Sequence, residues 1–360
     1  MRLLLSIFLL FSLHLKAQPV KVAVAGISHG HSGWILGRGD KGDIQLAGIY
    51  EPDTAMIRQT IRRYKLPEKL FYTNLNAMLD AVKPEAVLAF GSVYSHLEVT
   101  EACAPRGIHV MVEKPMATTL AQALRMDSLA ARHNIKLLTN YETSWYPSVA
   151  KAFQLVNDSG YAGTIRKVVI HDGHQGPKEI GCSPEFLAWL TDPVLNGGGA
   201  LIDFGCYGAN IMTTLMKGQK PLAVTAVTRQ YKPAVYPKVD DDATIIVDYP
   251  DAQCIIQASW NWPFNRKDME VYGDKGYIFA PDAKTLELRN SQKNGAEERR
   301  VTASDVKVYE DPFVYLAAVV RGKETVPPFG VYSQENNLMV VRILEAARES
   351  ARTGKTVELK

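Results

Sequence analysis

Val20-Lys21-Val22-Ala23-Val24-Ala25-Gly26-Ile27-Ser28-His29-Gly30-His31-Ser32-Gly33 is the stretch that decides the fold. Its opening run is short enough for a strand and apolar enough to be covered on both faces, as strands of parallel sheets are. The run stops at Gly26, and a helix is predicted to start near Ser32. Strand, glycine turn and helix, in that order, open a βαβ unit.

The same grammar continues to about residue 145. Ile44 to Tyr50 reads as a second strand, and Thr54 to Tyr64 as a helix with Pro67 beyond it. Phe71-Tyr72 marks a short strand, and Leu75 to Ala81 a helix. Ala86 to Phe90 and His109 to Val112 are strands flanking a helix from Leu97 to Arg106. Ala121 to His133 is helical, and Ile135 to Thr139 is one more strand. Repeated βα order predicts a doubly wound parallel sheet.

After Pro147 the pattern changes. A helix at Ser148–Leu155 precedes a strand at Ile165–His171, and Leu201–Met216 reads as one helix. Strands follow near Leu222–Arg229, Ala243–Tyr249, Cys254–Trp260, Met269–Tyr272 and Tyr277–Ala280, which suggests an antiparallel sheet. Helices at Pro312–Val320 and Ser333–Arg352 close the chain. The expected organisation is a parallel α/β domain over residues 18–145 and an α+β domain over residues 146–360. The final helix is placed to pack back on the first domain.

Composition agrees with two folded domains. The chain has 360 residues, 46% hydrophobic and 22% charged, which excludes a disordered chain. Net charge is +3; without Arg2 and Lys16, 39 basic residues face 38 acidic ones. That balance excludes a surface built for nucleic acid. Four cysteines, Cys103, Cys182, Cys206 and Cys254, are too few and scattered for a disulfide scaffold or a zinc ribbon. Cys103 and Cys206 fall in predicted helices and are expected to be buried thiols.

Residues 1–17 read as a secretory signal peptide: Arg2, an apolar run from Leu3 to Leu13, and Ala17 before a cleavage point at Gln18. The run is too short to span a bilayer, and no later stretch is long enough. The mature protein is expected to be periplasmic or secreted, with no membrane span.

The turn after the first strand has the position of a dinucleotide fingerprint, with a defect. Gly26 supplies the first glycine, while Ser28 and His31 stand in the second and third places. Ser28 is small and able to hydrogen-bond phosphate. The second strand ends Tyr50-Glu51-Pro52-Asp53. An acid there accepts hydrogen bonds from an adenosine ribose and repels a 2′-phosphate, so Glu51 favours NAD over NADP. The alternative for Glu51 is a solvated turn residue.

Glu113-Lys114-Pro115 follows the strand His109-Val110-Met111-Val112. Upstream lies Ser95-His96-Leu97-Glu98, and downstream Asn196-Gly197-Gly198-Gly199-Ala200-Leu201-Ile202-Asp203-Phe204-Gly205-Cys206-Tyr207. Together these resemble the glucose-fructose oxidoreductase / inositol dehydrogenase (Gfo/Idh/MocA) family across the whole mature chain. The resemblance implies a Rossmann domain, then a C-terminal domain whose large, mostly antiparallel open sheet forms a subunit interface. It implies NAD, a sugar or polyol substrate, and a homo-oligomer. Lys114 matches the family's catalytic lysine and Asp203 the aspartate of its active-site helix. Tyr207 stands where many members carry histidine. His96 matches a histidine after the fourth strand. Departures occur at Ser28 and His31, at Gly91-Ser92 where Thr-Pro is usual, and in 140–147, which lacks arginines.

The turn, the strand ends and the resemblance together assign cofactor contacts to Gly26, Ser28, His29, His31, Glu51, Ser92, His96, Glu113 and Lys114. Lys114, Asp203 and Tyr207 carry the chemistry, and Trp145 and His174 join Asp203 and Tyr207 around the substrate. A lysine ammonium stabilises developing alkoxide and is expected to lower the pKa of Tyr207, the acid/base group. Asp203 and Tyr207, four apart, are expected to share a helix face. Asp240-Asp241-Asp242 reads as a solvated turn, and no metal signature stands out. The leading expectation is an NAD-dependent oxidoreductase on a sugar hydroxyl. Transient oxidation that assists glycoside cleavage, with NAD recycled, is the second. A non-catalytic sugar or nucleotide sensor is the third.

Overall fold

The computed structural model describes residues 18–291 and 295–359; the expected signal peptide, residues 1–17, lies outside them. Within the described residues no helix is long and apolar enough to cross a membrane.

The first domain contains β1 (Val20–Ala25), α1 (Ser32–Leu36), β2 (Ile44–Tyr50), α2 (Thr54–Tyr64), β3 (Phe71–Tyr72) and α3 (Leu75–Val82). It continues through β4 (Ala86–Ala89), α4 (His96–Cys103), β5 (His109–Glu113), α5 (Leu120–His133) and β6 (Leu137–Asn140). Its six strands run in the order β3-β2-β1-β4-β5-β6, every pair parallel. The order reverses between β1 and β4, which opens a crevice at the carboxyl ends of those two strands. Asp53, Asn74 and Thr119 cap α2, α3 and α5 by accepting backbone amides.

Side chains of α3, α4 and α5 cover one face of this sheet. On the other face α1 has five residues and stops at Gly37, too short to cover the strands above it. A later segment fills the gap. The helix α10 (Pro312–Val320) sets Phe313 and Leu316 against Val20, Val22, Val24 and Leu88. Each such buried side chain contributes roughly 1.5–3 kcal/mol relative to exposure. The return to the first domain is therefore made largely by α10. The last helix, α11 (Gln334–Thr353), bridges the domains, with Val341 in the first core and Val340, Ile343 and Leu344 in the second.

The second domain comprises α6 (Pro147–Asn157), β7 (Ile165–Gly173), α7 (Pro184–Leu190), α8 (Ala200–Asp203) and α9 (Gly205–Leu215). Strands β8 (Ala223–Arg229), β9 (Asp242–Asp248), β10 (Gln253–Ser259), β11 (Arg266–Gly273) and β12 (Gly276–Ala280) follow. β13 (Thr285–Asn290), β14 (Glu297–Arg300) and, after α11, β15 (Val357–Glu358) complete it. The nine strands run β14-β13-β12-β11-β7-β10-β9-β8-β15. Only β7 and β10 pair in parallel; the other pairs are antiparallel. Residues of α6, α8, α9 and α11 pack on one face.

Three sequence expectations need correction. The helix expected over Leu201–Met216 is two helices broken at Phe204, so Asp203 and Tyr207 do not share one helix face. Helix α7 was not expected, although Ser183-Pro184-Glu185 carries the signs of a helix start: a cap, a proline at the first position and an acid in the first turn. Asp240–Asp242 is no solvated turn. Asp240 accepts the amides of Gly199 and Leu201, Asp241 those of Tyr231 and Lys232, and Asp242 the Ser259 hydroxyl. A Cβ at Gly199 would lie 1.7 Å from the Asp240 carbonyl oxygen, so this glycine serves backbone packing. The cysteines are free, three of them buried.

Candidate functional site

Where β5 ends, Glu113 is followed by Lys114 and a cis peptide to Pro115. The Lys114 ammonium crosses the domain boundary. It donates to the backbone carbonyl of Asp203 at 2.9 Å and to the Asp203 carboxylate. The other carboxylate oxygen accepts Trp260 Nε1–H at 3.0 Å. Both residues are buried, at 7% and 6% exposure. Burial alone would favour the neutral forms. The pairing overrides it, holding Lys114 above the ordinary lysine range and Asp203 below its usual carboxylate value.

Tyr207 lines the same cleft, and its hydroxyl has no hydrogen-bond partner among the described residues. Lys114 Nζ lies 5.2 Å from its ring centroid and Lys267 Nζ 4.8 Å from it. Here the expected pKa effect is reversed. Burial first, and then the nearby Glu142 and Asp172, push the phenol well above its ordinary value. The two lysines beside the ring do not overcome this. Tyr207 therefore rests as a neutral phenol.

The cleft measures about 700 Å³ and lies between the domains. A second lysine, Lys267 of β11, pairs there with Glu142, whose other oxygen accepts the Tyr146 hydroxyl at 2.7 Å. Two ion pairs, Lys114–Asp203 and Lys267–Glu142, thus stand in one cleft. His174 also lines the cleft, and Phe186, Ile180 and Phe204 add apolar wall. Nothing in the local sequence marks the Lys267–Glu142 pair, because its members lie 125 residues apart.

The β1–α1 turn fits a dinucleotide. Gly26 has φ +78°, and a Cβ there would meet the Gly91 amide nitrogen at 2.7 Å. The amides of Ser28 and Gly30 have no acceptor among the described residues, while those of Ile27 and His29 are bonded to Glu51 and Phe90. Glu51 directly follows β2, outside the cleft lining, as a buried carboxylate that accepts Ile27 N–H at 3.1 Å and Asp53 N–H at 3.0 Å, and burial raises its pKa. Each oxygen keeps a lone pair for a ribose hydroxyl. Ser92 sits in the β4 turn next to Gly91, with its carbonyl taken by Ser95. The Ser28 hydroxyl accepts Trp189 Nε1–H at 3.1 Å and still has its own proton to give.

Other expected contacts fall elsewhere. His96 is fully buried, with Nδ1 on the Met116 carbonyl at 3.1 Å, and does not line the cleft. Trp145 donates to the Tyr141 carbonyl at 2.8 Å and packs edge-on against Trp34, outside the cleft lining. Glu113 lies beneath His31, which it meets at 3.0 Å, and accepts Asn140 at 2.8 Å. Burial works against its charge, but His31 holds the carboxyl down at about 2. His29 lines the cleft, packed between Phe186 and Trp189 of α7.

His29, His31 and Glu113 bring three donor atoms within 4.8 Å of one another. As cation ligands they are compromised. His29 Nδ1 accepts the His31 amide at 3.0 Å, so its other nitrogen carries the proton. A second cluster, His171, Asp268 and Glu270, has Asp268 held by Arg266 at 2.7 and 2.9 Å.

Comparison with known proteins agrees with this geometry. Residues 20–141 match the oxidoreductase family model with an NAD-binding Rossmann fold, and residues 149–279 match the GFO/IDH/MocA C-terminal domain. The D-xylose 1-dehydrogenase (NADP+) of Haloarcula marismortui is 26% identical over 272 residues, covering 73% of this chain and 71% of that protein. The trans-1,2-dihydrobenzene-1,2-diol dehydrogenase of Xenopus laevis is 25% identical over 196 residues. The match covers 54% of this chain and 55% of that protein, so the chain spans little more than half of it. An inositol dehydrogenase homologue from Azotobacter vinelandii, solved with NAD+, superposes with a TM-score of 0.81 at 18% identity. It covers 95% of this chain and 98% of its own, a likeness of fold.

Proposed function

The chain belongs to the GFO/IDH/MocA oxidoreductase family, with an NAD-binding Rossmann domain, and on that premise we propose that it is an exported enzyme oxidising or reducing a sugar at one carbon. The observation that carries this reading is the buried Lys114–Asp203 pair beside Tyr207 in the interdomain cleft. Bound nicotinamide supplies the hydride acceptor or donor. The Gly26 turn, with the amides of Ser28 and Gly30, would hold the pyrophosphate, and Glu51 would accept the ribose hydroxyls.

Lys114 stabilises negative charge on the substrate oxygen, where a fixed cation in a water-poor site acts most strongly. Asp203 positions that ammonium through two hydrogen bonds. Tyr207 holds the proton at its phenolic oxygen and gives it to that oxygen when a carbonyl is reduced. In the oxidising direction it must first lose this proton. Both lysines at the reaction centre are already paired with carboxylates, which supports a neutral sugar or polyol over a sugar acid.

The open face of the nine-stranded sheet supports assembly into a homo-oligomer. Val227 and Tyr272 stand 50% and 39% exposed there. A monomeric mass in solution would contradict that part of the reading. Export rests on residues 1–17, and N-terminal sequencing that finds Met1 retained would contradict it.

The test of function is a panel of aldoses, polyols and glycosides incubated with the protein and NAD. Net NADH formation supports net oxidation. Released aglycone without net NADH would move the reading to transient oxidation that assists glycoside cleavage. Binding with no turnover of either kind would leave a sensor.

A further inference from the structure

We propose that His174 is a fixed hydrogen-bond donor to a substrate oxygen, presenting Nε2–H to the cleft, and is not the group that carries the reaction's proton. The inference rests on the sugar-oxidoreductase reading of the cleft and deepens it.

His174 follows directly after β7, and its main chain is held on both sides. Its amide donates to the Ser259 carbonyl at 3.0 Å, and its carbonyl accepts the Trp262 amide at 3.2 Å. The ring meets Phe204 edge-on, with centroids 4.9 Å apart. Nδ1 accepts the backbone amide of Gly176 at 2.9 Å. A backbone N–H can only donate, so Nδ1 must offer its lone pair. A neutral imidazole has one ring proton, which is thereby assigned to Nε2.

The turn that imposes this is itself anchored. Lys232 Nζ donates to the Gln175 carbonyl at 2.6 Å, to Glu179 at 2.6 Å and to the Trp260 carbonyl at 2.7 Å. Gly176 has φ +125°, and a Cβ there would lie 2.3 Å from Glu179 Oε2 and 2.5 Å from the Tyr236 hydroxyl oxygen. No other residue fits that place without displacing the anchor. His29 repeats the device, with the amide two residues on donating to Nδ1.

Nε2 has no partner among the described residues, and the ring lines the cleft with Lys114, Asp203 and Tyr207. A second proton would set Nδ1–H against Gly176 N–H. Burial also disfavours the imidazolium. Asp203 and Glu179 draw toward it, while Lys114 and Lys267 oppose it, and the balance lowers the pKa. The ring therefore contributes one directed donor and no base. It recognises a hydroxyl or carbonyl oxygen by its lone pair.

The test uses the full chain loaded with NAD and labelled with ¹⁵N-histidine, His174 being assigned by difference with His174→Gln. Long-range ¹H–¹⁵N correlations should show the Nε2–H tautomer from about pH 6.5 to 8. An Nδ1–H tautomer, or titration to imidazolium within that range, overturns the proposal. In turnover, His174→Ala should raise KM about 2- to 10-fold, the loss of one neutral hydrogen bond. His174→Gln, which keeps an N–H donor, should recover most of that, and both should keep the wild-type pH profile. A fall in kcat of about 10²–10⁴-fold in His174→Gln, with one limb of the profile gone, would make the ring the proton carrier. If the wild-type protein turns over no sugar, the oxidoreductase reading fails, while the tautomer measurement still decides the lock.

Discussion

Lys114 Nζ stands 2.9 Å from the backbone carbonyl oxygen of Asp203 and also pairs with that residue's carboxylate, joining the first domain to the second in one buried contact. The reaction centre thus exists only when the domains are docked.

Breaking one side of this pair should cost more than removing both. Lys114→Met leaves Asp203 charged and buried, a loss of about 3–5 kcal/mol. The double variant Lys114→Met/Asp203→Asn should be more stable than Lys114→Met alone, as read by urea unfolding. Strictly additive losses would show that the two residues are not coupled in this way.

Tyr207→Phe should change stability little, because the hydroxyl has no partner to lose, while turnover falls about 10²–10⁴-fold. The raised pKa gives a sign for pH dependence. The ionised fraction needed for oxidation is minute at neutral pH and rises tenfold per pH unit. Oxidation should therefore climb steadily through pH 7–9 and reduction should not. A plateau of oxidation below pH 7 would mean that another group accepts the proton.

Glu51→Ala should weaken NAD binding and narrow the gap to NADP, measured by titration with each cofactor. It should also lower stability by about 1–3 kcal/mol, because the buried amides of Ile27 and Asp53 lose their acceptor. A wild-type protein that prefers NADP would contradict the ribose assignment.

Much of this was legible in the sequence because it is local. The βα order, Glu51 at the end of β2 and Lys114 after β5 follow from short runs and their breaks. The misses are tertiary. Phe204 breaks what reads as one continuous helix, since its neighbours must serve the cleft on one side and the sheet on the other. Lys267 and Glu142 are joined only by the docking of β11 against the segment after β6. Tyr207 shows the same limit in electrostatics. Its nearness to Lys114 was expected, but the burial and the acids Glu142 and Asp172 that raise its pKa were not.

His96 should make the fold acid-sensitive. Burial depresses its pKa from 6.5 to about 4, so the folded state favours the neutral ring. The contribution is full above pH 6.5 and is lost as pH falls toward 4. His29 and His174 are shifted the same way, so His96→Gln should flatten part of the fall. Urea midpoints at pH 7 and 4.5 give the comparison, and an unchanged slope would remove His96 from the account.

The central claim is that hydride passes between a sugar carbon and nicotinamide beside Lys114. Its most direct test is deuterium transfer: a sugar found active in the panel, labelled with deuterium at the carbon that is oxidised, is incubated with NAD and the reduced cofactor is weighed by mass spectrometry. The account predicts one deuterium in the NADH formed by the wild-type protein. It predicts a rate about 10²–10³-fold lower in folded, NAD-binding Lys114→Ala, the scale for loss of a preorganised electrostatic contact. Unlabelled NADH, or an undiminished rate in Lys114→Ala, would contradict it.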